Sequence, residues 1–220
     1  LSSSVGTALS ELIASGDAVG IYMEKCADAV AAFFATVYAG GFYSVLNTEL
    51  PQNRLQTTVS VLNPKVIVTS ESLLETAKEY FSERKIVTFE DLAKSEPDYA
   101  KLGEIRSHKI DTDPLYINFT SGSTGTPKGI VVCHRSVIDF IDHFTEIFGI
   151  DNNDVIANQA PFDFDVSVKD IYSAVKTGAT LVVVPRRMFS APAELIDFIC
   201  DRRITVMIWA VSALCLISTF

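Results

Sequence analysis

The hydrophobic and polar positions along the chain form two alternating patterns. Short runs rich in valine and isoleucine, such as 65–69 and 180–184, are typical of buried strands. Between such runs lie segments with apolar residues three and four positions apart, such as 4–15 and 166–176, which is the spacing of one helix face. Parallel strands need a crossover segment of this kind between them. The pattern therefore predicts an α/β protein with layered parallel or mixed sheets flanked by helices.

The same pattern gives approximate bounds for each element. Strands are predicted at 18–23, 42–46, 65–69, 85–89, 115–119, 130–133, 155–158, 180–184 and 205–209. Helices are predicted at 4–15, 28–39, 51–62, 71–81, 136–148, 166–176 and 192–202. Residues 90–113 are charged and without a repeat, so we expect a surface connection there. This connection would divide the chain into two halves, 1–113 and 114–220.

The composition is that of a globular protein that does not bind nucleic acid. The chain has 220 residues, of which 48% are hydrophobic and 20% charged, so it is long and apolar enough to bury a sizeable core. It has 18 Lys+Arg against 27 Asp+Glu, a net charge of -9, and contains no run rich in lysine or arginine. An acidic surface repels phosphate backbones. Any phosphate contact must therefore come from a local loop.

Neither a metal site nor a membrane span is predicted. The four cysteines are Cys26, Cys133, Cys200 and Cys215. They form no CxxC pair and no Cys/His cluster, and we expect them to be free thiols in a reducing cytoplasm. Two charge-free stretches, 29–46 and 204–220, have the lower limit of length for a membrane span, but two glycines interrupt the first and the second begins as a β-branched run. We read both as core elements, and no signal peptide is predicted.

The segment 120–129, TSGSTGTPKG, has the composition of an anion-binding loop. Glycines let backbone N–H groups approach an anion, hydroxyls donate to phosphate oxygens, and a lysine adds a charge-assisted contact. The predicted strand 115–119 places this loop at a strand end, where ligands bind in open α/β sheets. A flexible Ser/Gly/Thr connection is the alternative, although it does not explain a Pro-Lys-Gly sequence that leads directly into a strand. The pattern of a Walker-type loop fails, because Lys128 is followed by Gly129 and a strand.

The stretch 116–129, YINFTSGSTGTPKG, resembles the signature of adenylate-forming enzymes, which include acyl-CoA synthetases, luciferases and adenylation domains of nonribosomal peptide synthetases. The stretch 37–47, VYAGGFYSVLN, is similar to the family's segment of buried helix, glycine turn and strand. The stretch 158–167, NQAPFDFDVS, is similar to the amino-acid-activating branch, and within it to D-alanine–carrier protein ligases. The resemblance covers essentially the whole chain. It implies that residues 1–220 are an incomplete N-terminal, AMP-binding domain without the C-terminal domain.

The resemblance implies a two-step reaction. A carboxylate attacks the α-phosphate of ATP to give an acyl-adenylate and pyrophosphate, and a thiol then takes the acyl group. In the family the glycine-rich loop holds the β- and γ-phosphates. The resemblance implies the same role for the matching residues here, which are Thr120, Ser121, Gly122, Ser123, Thr124, Gly125 and Lys128. The resemblance also implies ATP and Mg²⁺ as cofactors, with the magnesium ligand outside this chain. It further implies that the acceptor is the phosphopantetheine arm of a carrier protein or CoA.

Asp165 is the candidate substrate-binding residue. It precedes the predicted helix 166–176, where aspartate is also a favoured N-cap, and the residues alone leave both roles open. In the amino-acid-activating relatives, the aspartate of Phe-Asp-x-Ser binds the α-ammonium group of the substrate, and Phe164-Asp165-Val166-Ser167 matches this motif. A buried carboxylate facing an ammonium group is an effective selector, because each is costly when unpaired. The resemblance therefore implies an amino-acid substrate. Asp163 is expected only to form hydrogen bonds within its own turn.

Several later motifs of the family do not occur in this sequence. It has no Tyr-Gly-Pro-Thr-Glu segment, no Thr-Gly-Asp segment and no catalytic-lysine motif, and it begins at Leu1 and stops inside the apolar run 207–220. We therefore expect a piece of a longer protein that contains no catalytic residue and forms no adenylate by itself. Residues 210–213 lack the proline-containing turn that D-alanine ligases tend to have, which counts against D-alanine. Two alternatives remain: an acyl-CoA synthetase for an acid without the amine, against which Asp165 argues, and a non-catalytic nucleotide- or anion-binding module.

Overall fold

The computed structural model describes residues 1–120 and 127–219. The chain consists of two compact units, Leu1–Ser136 and a second unit that starts at Val137. Both units combine strands with helices, so the predicted α/β class is confirmed. The division lies later in the chain than the expected break after residue 113. The reason is that the two strands after residue 113 extend the sheet of the first unit.

The first unit is built on a six-stranded mixed sheet with the order β4-β3-β1-β2-β5-β6. Its strands are β1 (Ala18–Tyr22), β2 (Phe42–Val45), β3 (Val66–Thr69), β4 (Ile86–Thr88), β5 (Pro114–Thr120) and β6 (Lys128–Cys133). Its helices are α1 (Ser2–Ser10), α2 (Ala27–Tyr38), α3 (Gln52–Leu62), α4 (Leu74–Tyr80), α5 (Phe89–Leu92) and α6 (Tyr99–Ser107), with one 3-10 turn at Glu71–Leu73. Strands β1 to β5 pair in parallel, and β6 is antiparallel to β5.

The turn between α2 and β2 allows close packing of these two elements against the start of β1. Phe33 of α2 stacks on Tyr43 of β2 with ring centroids 4.5 Å apart, and both side chains are buried. Gly40 has a φ of 86°, a left-handed conformation that favours glycine. A Cβ atom on Gly41 would lie 2.8 Å from the carbonyl oxygen of Asp17, which precedes β1. The two glycines therefore let α2 and β2 approach the start of β1 closely.

The expectation of an irregular surface connection over 90–113 is wrong. This range contains the end of α5 and the whole of α6. Thr88 caps α5 by accepting a hydrogen bond from the amide of Asp91, and Asp98 caps α6 by accepting one from the amide of Lys101 at 2.9 Å. Leu102 is the one buried residue of α6, so the sequence there has no apolar repeat that would indicate a helix.

The second unit contains two parallel strands and their helices. The strands are β7 (Val155–Asn158) and β8 (Thr180–Val183). The helices are α7 (His134–Phe148, of which the first three residues belong to the first unit), α8 (Val166–Thr177), α9 (Pro192–Asp201) and α10 (Val211–Ser218), with one 3-10 turn at Arg186–Ser190. None of the helices in the described part of the chain is long and apolar enough to span a membrane.

The strand predicted at 205–209 is wrong. Val206 makes a single parallel bridge to Ile156 of β7, and no ladder follows. Trp209 instead packs in an apolar cluster with Leu195, and its indole Nε1 donates a hydrogen bond to the carbonyl oxygen of Ala157 at 2.7 Å. The buried indole therefore anchors this segment to β7 in addition to the single bridge.

Candidate functional site

The β5–β6 hairpin brings together the two described ends of the glycine-rich loop. Thr120 lies directly opposite Lys128 in the antiparallel ladder. Opposite residues point to the same face of a sheet, so the hydroxyl and the ammonium group flank the loop on one side. Both residues are exposed. The other predicted phosphate-binding residues lie outside the described residues; they are Ser121, Gly122, Ser123, Thr124 and Gly125.

Gly129 serves the packing of the hairpin. It lies opposite Phe119 in the ladder. A Cβ atom at this position would lie 3.1 Å from Cγ2 of Ile117 and 3.2 Å from Cε1 of Phe119, closer than most side-chain contacts. The last glycine of the motif therefore keeps room for two apolar side chains beside Lys128.

The end of β6 is held by charged residues of the segment that precedes β5. The guanidinium of Arg135 donates from Nε and Nη2 to the two carboxylate oxygens of Asp111 at 2.8 and 2.9 Å. Its hydrogen bond and charge lower the pKa of Asp111. The amide of His134 donates to the carbonyl oxygen of Asp113, whose carboxylate pairs with Lys109 at 2.9 Å. Burial and, to a smaller extent, the charge of Lys109 lower the pKa of His134. These contacts fix the strand that leaves the loop.

Cys133, the last residue of β6, is expected to react with iodoacetamide at a lower pH than an ordinary thiol. Its Sγ lies 3.3 Å from Oγ of Ser136, and hydrogen bonds from the hydroxyl and the amide of Ser136 lower the pKa of the Cys133 thiol. Because the thiolate is the nucleophile, a lower pKa moves alkylation to lower pH. The measurement is the alkylation rate of each cysteine against pH, read by mass spectrometry. Ser136→Ala should move the Cys133 profile to higher pH and leave the exposed Cys200 and Cys215 unchanged. An unmoved Cys133 profile would contradict this role of Ser136.

Asp165 lies immediately before α8, on an exposed turn. It has α-helical dihedral angles, φ -57° and ψ -30°, and its side chain makes no capping hydrogen bond. Ser167 stabilises the turn instead, because its Oγ donates to the carbonyl oxygen of Phe164 at 2.7 Å. The fold therefore does not use the Asp165 carboxylate as a helix cap. The carboxylate was expected to be buried, whereas here it is open to solvent.

A buried polar group on α8 was missed by the sequence reasoning. The carboxylate of Asp170 accepts hydrogen bonds from Nζ of Lys169 at 2.6 Å and from Nδ2 of Asn158 at 2.9 Å. Exposure is 2% for Asp170, 8% for Lys169 and 0% for Asn158. We call these three residues the α8 polar cluster. The available signal was the adjacent lysine and aspartate between apolar residues in a helix that is otherwise packed against the core.

An open groove of about 560 Å³ in the first unit is not part of this site. It is lined by residues of α1, α4, β4 and α5. Strands β4 and β6 are the two edges of the sheet. The groove is lined by Ile86, Val87 and Thr88 of β4, so it lies at the edge of the sheet opposite to β6.

Comparison with known proteins defines the class. Residues 1–217 match the family described as AMP-binding enzyme. The chain therefore belongs to the AMP-binding enzyme family, and the resemblance to adenylate-forming enzymes is confirmed.

Two individual relatives also match most of this chain, each at 30% identity. Indigoidine synthase of Streptomyces lavendulae is 30% identical over 199 residues, which cover 89% of this chain and 15% of that protein. A D-alanine–D-alanyl carrier protein ligase of Staphylococcus aureus is 30% identical over 182 residues, which cover 82% of this chain and 35% of the ligase. The chain thus spans about a third or less of these relatives.

Solved structures match almost the whole chain. A four-domain nonribosomal peptide synthetase bound to AMP and glycine has a TM-score of 0.82 at 21% identity, covering 99% of this chain and 16% of that one. Another nonribosomal peptide synthetase, in a form bound to α-methyl-L-serine-AMP, has a TM-score of 0.85 at 23% identity, covering 99% of this chain and 24% of that one. These matches confirm the predicted fold.

Proposed function

We propose that the protein to which these residues belong activates the carboxylate of an amino acid with ATP and transfers the acyl group to the phosphopantetheine thiol of a carrier protein. In this proposal residues 1–220 form part of the large N-terminal domain. The observation that carries it is the exposed carboxylate of Asp165, which caps no helix and lies within a Phe-Asp-x-Ser motif of an AMP-binding chain. CoA is the other candidate acceptor.

The hairpin ends supply the proposed contacts to ATP. Thr120 offers a hydroxyl donor and Lys128 an ammonium group on the same face, and both are exposed. The proposed set holds the β- and γ-phosphates and consists of Thr120, Ser121, Gly122, Ser123, Thr124, Gly125 and Lys128. Positioned donors of this kind stabilise the charge that spreads over phosphate oxygens during transfer. A local positive group matters here because the net charge of the chain is -9.

Two bond exchanges make up the proposed reaction. A carboxylate oxygen of the substrate attacks the α-phosphorus of ATP, the bond to the bridging oxygen breaks, and pyrophosphate leaves with its electron pair. The thiol then attacks the acyl carbon, gives up its proton, and AMP leaves. Mg²⁺ would neutralise phosphate charge when bound; within 1–120 and 127–219 no group of three or more His, Cys, Asp or Glu side chains could hold a metal ion. Its ligand is proposed to lie outside this chain.

Asp165 provides the proposed selection for an amine. An α-ammonium group needs an anionic partner when it leaves water. The structural neighbours include proteins bound to glycine and to an α-methyl-L-serine adenylate, which supports an amino acid as substrate. Another neighbour is an adenylation domain of a keto acid-selecting module, so the fold also accepts acids without the amine. Asp165 favours the amino acid over this second candidate.

Lys128→Ala is expected to raise the KM for ATP roughly tenfold to a hundredfold, because a charge-assisted hydrogen bond contributes about 1.5–3 kcal/mol. The measurement is ATP–pyrophosphate exchange by the intact protein with a panel of D- and L-amino acids and of carboxylic acids that lack the amine. Lys85→Ala is the matched control, since Lys85 is an exposed lysine directly before another strand of the same sheet.

Each outcome of this exchange assay supports a different candidate function. Exchange with one amino acid supports the proposal, and exchange with only amine-free acids supports an acyl-CoA synthetase. A folded protein without any exchange would leave the non-catalytic binding module. The isolated 220 residues are proposed to show no exchange, because the sequence contains no catalytic-lysine motif.

A further inference from the structure

The α8 polar cluster is a buried charged group that the proposed reaction does not use. Its ion pair joins neighbouring residues, with 10% of the Lys169 side chain and 2% of the Asp170 side chain exposed. A buried ion pair is often no more stabilising than apolar side chains of the same volume, because both charges lose their hydration. Stability alone therefore does not explain this cluster, and its position relative to Asp165 suggests another role.

Lys169 has the spacing at which it could pair with Asp165. The two residues are four positions apart at the start of α8, and side chains with this spacing are neighbours on one helix face. An acidic residue four positions before a lysine is the favourable order for an ion pair on a helix. A lysine bound to Asp165 would occupy the carboxylate that the proposed function assigns to the ammonium group of the substrate.

The structure shows that Lys169 is bound elsewhere. Its Nζ lies 2.6 Å from Oδ1 of Asp170, and the other oxygen of that carboxylate is held by Asn158 at the end of β7. No side chain among the described residues pairs with the Asp165 carboxylate. The acceptor for Lys169 is therefore fixed to the strand, and the carboxylate of Asp165 stays open.

We propose that Asp170 is a positioning residue that sequesters the Lys169 ammonium group and so keeps the Asp165 carboxylate available for the ammonium group of the substrate. This inference rests on the proposed function of Asp165. It assigns Asn158 the role of holding Asp170, which ties the second turn of α8 to β7. Lys169 is then an internal competitor of the substrate that the fold keeps away from the site.

The test is a rescue experiment in the exchange assay with the intact protein. Asp170→Asn removes the negative charge that holds Lys169, which makes Asp165 the stronger partner, and should raise the KM for the amino acid at least about tenfold, with the KM for ATP unchanged. The double variant Lys169→Met/Asp170→Asn removes the competitor and should return that KM to within about threefold of the original value. Ser173→Ala is the matched control, because Ser173 is fully buried on the same helix and its Oγ has no hydrogen-bond partner among the described residues. It should change neither KM.

The double variant also tests whether Asp170 acts by holding Lys169, even if Asp170→Asn alone does not fold. It removes both charges of the Lys169–Asp170 ion pair together, so neither of them is left unpaired and the variant should remain folded. If its KM for the amino acid is high, Asp170 acts on the structure in general and the proposal is wrong. An unchanged KM in a folded Asp170→Asn protein would also overturn it.

A second measurement needs no substrate and separates this inference from the proposed function. Crystal structures of the variants should show the Lys169 ammonium group within hydrogen-bond distance of the Asp165 carboxylate in Asp170→Asn, because the two side chains are neighbours on one helix face. The Asp165 carboxylate should again be open in the double variant. If this new ion pair forms but the original protein exchanges with no amino acid, the sequestration stands and the proposed function fails. Absence of the ion pair in folded Asp170→Asn contradicts the sequestration itself.

Discussion

Replacing Asp165 with alanine is expected to raise the KM for the amino acid about a hundredfold in ATP–pyrophosphate exchange, since removing one partner of a hydrogen-bonded charge pair costs roughly 2–5 kcal/mol. The KM for ATP should stay the same, because the proposed ATP contacts come from the β5–β6 hairpin. The unfolding free energy should change by less than about 0.5 kcal/mol, as is usual for an exposed residue. This last expectation follows from the missing capping bond.

A neighbouring carboxylate provides the control for this experiment. Asp163→Asn removes a charge two residues earlier in the same turn, where only local hydrogen bonding is expected. It should leave the KM for the amino acid within about threefold of the original value. If Asp165→Ala changed the KM for both substrates equally, or lowered stability as well, the carboxylate would have a structural role instead.

Gly41→Ala is expected to lower the unfolding free energy by about 3 kcal/mol, at the upper end of the usual cost of overpacking. The new Cβ atom would lie 2.8 Å from the carbonyl oxygen of Asp17 and 2.8 Å from Cδ1 of Ile13. The isoleucine can change its rotamer, but the carbonyl oxygen is backbone and also accepts the hydrogen bond of the Phe42 amide. Relief of the clash must therefore move this carbonyl group and weaken its hydrogen bond to the Phe42 amide, which joins the starts of β1 and β2.

Urea unfolding followed by circular dichroism measures this effect, and a second glycine gives the control. A Cβ atom on Gly103, within α6, would meet no atom within 4 Å. Gly103→Ala should therefore raise stability by up to about 1 kcal/mol through helix propensity. The two variants make the same chemical change with opposite expected signs. Equal effects would show that the close approach at Gly41 does not limit the fold.

Local sequence was sufficient for most of the strands and insufficient for three regions: 205–209, the range that contains α6, and the range of α10. Strand β7 was predicted at 155–158, the bounds observed, because a short apolar run between polar residues gives a clear signal. The run 205–209 has the same character but forms one bridge, since pairing depends on which strands lie beside it in space. Helix α6 was not predicted, because it presents almost no apolar residues to the core and its sequence therefore has no apolar repeat.

The site residues remain predictions, and they come from continuous sequence motifs. The loop 120–129 was proposed from its own composition, and Asp165 from the resemblance of Phe164-Asp165-Val166-Ser167 to a family motif. The α8 polar cluster does not come from such a motif, because Asn158 and Asp170 are twelve positions apart and meet only after β7 and α8 have folded. The pairing of Lys169 with Asp170 rather than with Asp165 is likewise set by tertiary structure.

The single tryptophan of the chain gives the two units separate optical signatures. Trp209 is 7% exposed, lies in the second unit, and has the ring of Phe189 5.5 Å from its own. Six of the seven tyrosines lie before residue 137, among them Tyr43 and Tyr116 with centroids 5.8 Å apart. Tryptophan emission therefore reports the unit that contains Asp165, while tyrosine absorbance reports mainly the unit that contains Lys128. Unfolding of each half can thus be followed in the unlabelled chain.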